Sequence, residues 1–115
     1  MSNYHEPAEE LSNQARDFSR ALNSLKEEIE AVDWYHQRVD RSDNEELKGI
    51  MAHNRDEEIE HACMTLEWLR RNMAGWDEEL KTYLFKEGDI AHHGHEEEDE
   101  GNGENTSDLG IGKIK

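Results

Sequence analysis

The chain has 115 residues, of which 37% are charged and 33% are hydrophobic, and its formal net charge at neutral pH is -16. A chain of this size holds one domain, and its small apolar fraction leaves a single copy with little core. The negative charge repels phosphate backbones and anionic lipid surfaces and attracts cations, so nucleic acid and membranes are excluded as expected partners.

The first predicted helix extends from Pro7 to about Val39. Proline is tolerated in the first turn of a helix, and no further proline or glycine occurs before Gly49. Mostly apolar side chains then recur at alternating spacings of three and four residues, which is the seam of a long packed helix. The seam consists of Leu11, Ala15, Phe18, Leu22, Leu25, Ile29, Val32, His36 and Val39.

A polar turn over residues 40–44 separates this helix from a second long helix. Ser42 and Glu45 form a capping-box pattern, so we predict that the second helix starts there and stops near Gly75. The short turn makes the two helices an antiparallel hairpin. One face of the second helix carries Leu47, Met51, Ala62, Leu66, Leu69 and Met73.

The remaining residues indicate a short helix followed by a tail. Trp76 to Lys86 reads as a third amphipathic helix that is closed by Gly88, so we predict an all-α folded domain over residues 1–88. Residues 89–108 are acidic, His-rich and then Gly-rich, which predicts a disordered linker. Apolar residues return in residues 109–115, as is typical of a docking peptide.

The ends and the cysteine content indicate an intracellular protein. The N-terminus has no basic segment followed by an apolar run, and no apolar stretch approaches the ~20 residues that cross a bilayer. Cys63 is the only cysteine and cannot form an intramolecular disulfide, which agrees with a reducing compartment. We expect Cys63 to act as a small buried hydrophobe.

One carboxylate falls on the apolar face of the second helix. On a wheel of about 100° per residue, Glu58 lies in the middle of the apolar arc, and His61 lies on the same arc. Their spacing is a Glu-x-x-His motif, which lets both side chains bind one metal ion. A turn centred on Ser42 places Glu28 opposite position 56, within one turn of this pair. We therefore expect Glu28, Glu58 and His61 to converge at one height.

These residue types predict a divalent metal site that two chains share. Burying Glu28 and Glu58 as unpaired anions costs several kcal/mol each, and we expect no lysine or arginine at that height to neutralise them. Carboxylates with one imidazole suit iron, manganese or zinc, whereas the absence of thiolates argues against a closed structural zinc site. Ferritin-like di-iron sites take such ligands from four helices. A two-fold pair of chains would complete both the four-helix arrangement and the site.

A second set of polar side chains lies on the opposite face of the hairpin. A solvated surface is its usual meaning, and the alternative is an outer cation site that feeds the buried one. Its members are Glu27, Glu30, His53, Glu57 and Glu60. Trp34 lies on the same face, where an exposed indole suggests a contact between chains. Tyr35 lies on the side of Glu28, where it either hydrogen-bonds a ligand from the partner chain or packs.

Several stretches of the chain closely resemble the encapsulated ferritins. They are EEIEAVDWY at residues 27–35, AHNRDEE at 52–58, EHA at 60–62 and MTLEWLRR at 64–71. The resemblance extends from about His5 to Phe85 and resumes at residues 109–112. It implies a ferroxidase that oxidises Fe(II) with dioxygen and is carried as cargo inside an encapsulin shell in the cytoplasm, where the shell stores the iron mineral.

The resemblance also implies an assembly and a set of ligands. Encapsulated ferritins form annular decamers of five dimers with metal sites at the dimer interface. The positions that match their ferroxidase ligands are Glu28, Glu58 and His61. The set of Glu27, Glu30, His53, Glu57 and Glu60 matches their outer positions, where Ca²⁺, Zn²⁺ or Mn²⁺ would also bind, and Trp34 and Tyr35 match aromatic residues beside the site.

The end of the chain is similar to the targeting motif of the same family, Leu-Gly-Ile-Gly-Ser-Leu. The matching residues are Leu109, Gly110, Ile111, Gly112 and Ile114. Ile114 replaces leucine and keeps an apolar anchor, whereas Lys113 replaces serine and adds a charge. The resemblance therefore implies an encapsulin shell protein as a partner.

Three functions remain open from the sequence. The first is a ferroxidase in which Glu58 bridges two iron ions while Glu28 and His61 bind one each. The second is a non-catalytic divalent-metal-binding module in which cations hold subunits together. The third is an acidic helical bundle without metal, in which the Glu-x-x-His motif is a solvated turn of the helix.

Overall fold

The structure is a computed structural model that describes residues 4–92. Within this range the chain has no strands, and a 3-10 helix at Ala8–Glu10 precedes α1 (Asn13–Arg41), α2 (Glu45–Asn72) and α3 (Trp76–Tyr83). Helices α1 and α2 pack as a hairpin, which confirms the predicted all-α architecture. The predicted targeting peptide and residues 93–108 of the predicted linker lie outside the described residues.

Helix α1 begins later than the sequence predicts. Ser12 is its N-cap, and the Ser12 hydroxyl accepts a hydrogen bond of 3.0 Å from the amide of Ala15. Pro7 instead precedes the 3-10 helix, and the guanidinium of Arg16 donates to the carbonyl of Ala8. Serine is a preferred cap, so the α-helix starts where its first free amides find an acceptor.

The turn between the long helices is shorter than predicted and lies slightly further along the chain. α1 ends at Arg41, and Asn44 rather than Ser42 caps α2, because the Asn44 Oδ1 accepts a hydrogen bond of 2.9 Å from the amide of Leu47. The hydroxyl of Ser42 accepts a hydrogen bond of 3.2 Å from the amide of Asn44 and so stabilises the turn itself. The turn is therefore centred on Asp43.

The C-terminal ends of α2 and α3 lie earlier in the chain than predicted. α2 ends at Asn72, and Met73 after it has an extended backbone. Gly75 has a φ of 102°, which favours glycine, but it forms the start of α3 rather than the end of α2. α3 ends at Tyr83, because Leu84 is extended, and does not reach Lys86.

The chain divides between Met73 and Ala74 into two compact units, one with the hairpin and one with α3. In the second unit, Lys81 and Asp77 form an ion pair of 3.0 Å, and the Thr82 hydroxyl donates to the Glu78 carbonyl at 3.0 Å. Both contacts join neighbouring turns of α3.

The apolar core is small, as the composition predicts. Leu69 is the only fully buried hydrophobic residue between residues 4 and 92, and Phe18 packs edge-to-face against Trp68 across the hairpin with ring centres 6.0 Å apart. Ile29 and Leu47, which we expected on packed faces, are 57% and 46% exposed, and Cys63 is exposed rather than buried. In the same range, no helix combines the length and the apolar character that crossing a membrane requires.

Candidate metal centre

Glu28 lies midway along α1 with its carboxylate partly buried. The hydroxyl of Thr65 on α2 donates to Glu28 Oε2 over 3.3 Å. Glu28 Oε1 is buried and has no hydrogen-bond partner. No lysine or arginine of the described chain forms an ion pair with Glu28. A buried carboxylate oxygen without a partner is costly, and a cation would relieve that cost.

Glu58 and His61 lie one turn apart on α2. Glu58 Oε1 and His61 Nδ1 are 3.5 Å apart, and the two side chains are 27% and 44% exposed. The partial burial of Glu58 agrees with its predicted position on the apolar face. Neither Arg nor Lys from residues 4–92 forms an ion pair with Glu58. The Glu-x-x-His motif thus presents an oxygen and a nitrogen ligand on one side of the helix.

The structure does not bring Glu28, Glu58 and His61 together as one group. Among the residues that the structure describes, no three His, Cys, Asp or Glu side chains are placed to hold a metal ion. The side chain of Glu28 does not meet position 56, as predicted, because it contacts Thr65, which lies about two and a half turns further along α2. His36 shows a displacement in the same direction, since its Nδ1 lies 3.2 Å from a guanidinium nitrogen of Arg55.

Two physical causes explain the displaced contact of Glu28. The turn is centred on Asp43 instead of Ser42, which moves the partner of each α1 residue further along α2. Side chains on a helix also lean toward its N-terminus. In an antiparallel hairpin this lean brings each α1 side chain toward α2 residues with higher numbers. Glu28 therefore meets Thr65, one turn beyond His61.

The predicted outer cluster is not a group in one chain either. His53 Nε2 and Glu57 Oε2 are 3.1 Å apart at the surface, and both side chains are exposed. Glu27, Glu30 and Glu60 are also exposed. On this face too, within residues 4–92, no three His, Cys, Asp or Glu side chains are placed to hold a metal ion.

The two aromatic residues near the site differ in their surroundings. Trp34 is 50% exposed, as its position on the polar face predicts. Tyr35 is partly buried, and the guanidinium carbon of Arg38 lies 5.2 Å from the centre of its ring. This cation–π contact, between two residues of α1, was not predicted, and it helps to hold the ring of Tyr35 in place.

The structure also contains a charged contact that we did not predict. Arg70 donates two hydrogen bonds of 2.7 Å to the two carboxylate oxygens of Glu67, and Arg71 Nε donates a third of 2.7 Å. These hydrogen bonds lower the pKa of Glu67 from 4.5 to about 2. The spacings of three and four residues along α2 are a signal that sequence alone provides.

Comparison with known proteins decides the family. The sequence profile of the EncFtn-like family matches residues 3–87. The chain belongs to the EncFtn-like family. This EncFtn-like chain is 62% identical over 112 residues to a ferritin-like protein of Thermotoga maritima, with 96% of each chain covered. It is 52% identical over 121 residues to an encapsulated ferritin-like protein of Rhodospirillum rubrum, with 96% of this chain and 86% of that protein covered.

A solved structure supports the same fold for the EncFtn-like chain. The crystal structure of protein ne0167 from Nitrosomonas europaea is similar to it with a TM-score of 0.77 and 57% sequence identity. The similarity covers 79% of this chain and all of that chain. The resemblance to encapsulated ferritins that residues 27–71 indicated is thereby confirmed at the level of family and fold.

Proposed function

We propose that this chain is a ferroxidase that oxidises Fe(II) to Fe(III) with dioxygen at a di-iron site between two copies of itself. The observation that carries the proposal is Glu28 Oε1, a buried carboxylate oxygen without a hydrogen-bond partner, on the hairpin that also presents Glu58 and His61. Carboxylate and imidazole ligands suit iron. The ferritin-like names of two relatives support iron over other divalent metals.

A second copy would supply the ligands that one chain lacks. Each chain offers Glu28 on α1 and the pair of Glu58 and His61 on α2, which is half of the constellation found in ferritin-like di-iron sites. A two-fold pair presents each ligand twice and provides four long helices. The exposed apolar side chains of the hairpin, among them Ile29 and Leu47, support such pairing because it would remove them from water.

In the proposed site Glu58 bridges two iron ions, and Glu28 and His61 each bind one. Each Fe(II) ion gives one electron to dioxygen, so two ions and two protons reduce one dioxygen molecule to hydrogen peroxide. The anionic carboxylates stabilise the additional positive charge of Fe(III). The Fe(III) product then leaves the site for mineral growth.

Replacing Glu58 with alanine tests the site. In Glu58→Ala, Fe(II) oxidation in air, followed by stopped-flow absorbance of Fe(III), should fall to the rate without protein, and metal-dependent pairing of chains should weaken. Glu46→Ala is the matched control, because it removes an exposed carboxylate of α2 outside the proposed site. Unchanged oxidation by Glu58→Ala would overturn the assignment. Iron binding by the wild type without faster oxidation would instead identify a non-catalytic metal-binding module.

We also propose that the chain stores iron as the cargo of an encapsulin nanocompartment in the cytoplasm, assembled there as an annular decamer of five dimers. The description of the Rhodospirillum rubrum relative as encapsulated supports this context. Residues 109–114 would bind the shell, and deletion of residues 109–115 should abolish co-purification with the shell protein without changing the rate of iron oxidation. Co-purification of the shortened chain at the full level would contradict the assignment.

An outer cation site would complete this function. Its proposed ligands are Glu27, Glu30, His53, Glu57 and Glu60, which lie on the exposed face and would draw Fe(II), Ca²⁺, Zn²⁺ or Mn²⁺ toward the protein. The close pair of His53 and Glu57 is the contact that supports it.

A further inference from the structure

We propose that Thr65 is a positioning residue for Glu28: its hydroxyl fixes Oε2 and leaves Oε1 as the oxygen presented to the metal. The inference rests on the proposed function, since it requires Glu28 to be a metal ligand. The Thr65 hydroxyl donates to Glu28 Oε2 over 3.3 Å, in a partly buried contact between α2 and α1. The other oxygen of the same carboxylate is buried without a partner.

The place of Thr65 on α2 suits this role. It follows His61 by four residues and Glu58 by seven, so all three side chains lie on one side of the helix. Hydrogen bonds from neighbouring groups orient metal-ligating carboxylates, and such groups lie directly beside the ligands. The branched side chain of threonine is divided between two rotamers in a helix, so its hydroxyl has few directions to take.

The direction of the Thr65 hydrogen bond is unusual for a threonine within a helix. Such hydroxyls commonly donate to the carbonyl of the residue four positions earlier. Thr82 does so, because its hydroxyl donates to the carbonyl of Glu78 at 3.0 Å. A hydroxyl carries one hydrogen, and Thr65 directs it across the hairpin to Glu28 instead.

The neutral character of the donor preserves the charge that a metal requires. Glu67 on the same helix is held by Arg70 and Arg71, which donate to both of its oxygens and balance its negative charge. Glu28 receives one hydrogen bond from an uncharged hydroxyl. Thr65 therefore orients the carboxylate without competing with a cation for its charge.

Loss of the hydroxyl should weaken metal binding more than it disturbs the fold. Removal of a group that orients a metal ligand typically lowers metal affinity by roughly 10–100-fold. Thr65→Val removes the hydroxyl and keeps the shape of the side chain, whereas Thr65→Ser keeps the hydroxyl. Thr65→Ala also lacks the hydroxyl and favours the helix more than valine does, so it serves if Thr65→Val folds poorly.

The experiment titrates Co(II) into each full-length, metal-free variant without oxygen and records the visible absorption of the bound ion. Thr65→Val and Thr65→Ala should lower the affinity for Co(II) by about 10–100-fold and change the intensity of the absorption bands. Thr65→Ser should restore most of the affinity and the wild-type spectrum. Thr82→Val, the matched control, removes a hydroxyl with a local partner and should leave both readouts unchanged.

Wild-type affinity and spectrum in Thr65→Val and Thr65→Ala would overturn the inference, and so would a failure of Thr65→Ser to restore them. Glu28→Ala and Glu58→Ala separate this result from a failure of the proposed function. If both of those variants bind Co(II) and oxidise Fe(II) like the wild type, the ferroxidase site itself is wrong. If both are impaired while the Thr65 variants are not, only the role of Thr65 is wrong.

Discussion

Replacement of Glu28 by methionine should stabilise the metal-free protein and abolish its stabilisation by metal. Glu28 Oε1 is buried without a partner, and an unsatisfied buried polar group costs about 1–3 kcal/mol, or more when charged. Methionine has a similar length and no charge, but the substitution removes the hydrogen bond from Thr65. We therefore expect a net gain of about 1 kcal/mol, which raises the Tm of a domain of this size by roughly 4–8 °C.

The Glu28→Met comparison requires metal-free protein at one fixed chain concentration, because pairing makes the Tm depend on concentration. Unfolding by heat and by urea is followed by circular dichroism, first with chelator and then with added Co(II). Glu46→Met is the control, since it removes an exposed carboxylate from the first turn of α2, where negative charge is favourable, and should lower stability slightly. A metal-free Glu28→Met protein that is less stable than the wild type, or one that keeps the full metal-dependent rise in Tm, would contradict this prediction.

Two further predictions concern the scaffold. Gly49→Ala should raise the free energy of unfolding, measured in urea, by about 0.5–1 kcal/mol, because a Cβ inside α2 would meet nothing within 4 Å. Gly75→Ala should lower the same free energy by about 1 kcal/mol, because Gly75 has a φ of +102°. Equal effects of the two glycine variants would be inconsistent with this. Arg70 and Arg71 lower the pKa of Glu67 to about 2 in the folded protein. The ionised Glu67 side chain therefore contributes to stability in full above its unfolded pKa of 4.5, and this contribution disappears as the pH falls toward about 2. The urea midpoints of the wild type and Glu67→Gln should therefore differ at neutral pH and converge in acid, and a constant difference would rule out this contribution.

The long helices were predictable because the period of apolar side chains is a property of each helix by itself. The ends of the helices were harder to predict, since Pro7 and Ser12 are both compatible with a helix start. Ser42 and Asn44 are likewise both good N-caps. The choice depends on contacts that no local pattern contains. One of them is the hydrogen bond from Arg16 to the carbonyl of Ala8, which holds the 3-10 helix outside α1.

The same distinction applies to the candidate site. The closeness of Glu58 to His61 follows from the geometry of one helix and was predicted correctly, and the partial burial of Glu58 agrees with its predicted position on the apolar face. The side-chain partner of Glu28 depends on how two helices lie against each other. A small change in the turn, together with the lean of side chains, displaces that partner by more than one turn. For that reason the role of Thr65 emerged only from the structure.

In the proposed assembly, metal binding and chain pairing are coupled because the same carboxylates take part in both. Glu28 and Glu58 are partly exposed in the single chain, so water still solvates them in part. A second chain would remove that water and bring two carboxylates from each chain together, which costs several kcal/mol per buried ion and adds repulsion between like charges.

Two divalent cations would balance those four negative charges, so metal favours the pair, and by linkage the pair favours metal by the same factor. The exposed apolar side chains of the hairpin supply an attraction that does not depend on metal. The metal-free chain should therefore exchange between single and paired forms, and its affinity for metal should rise with protein concentration. Sedimentation measured at several concentrations with and without Co(II) tests this coupling, and a metal affinity that is independent of chain concentration would show that one chain binds metal alone.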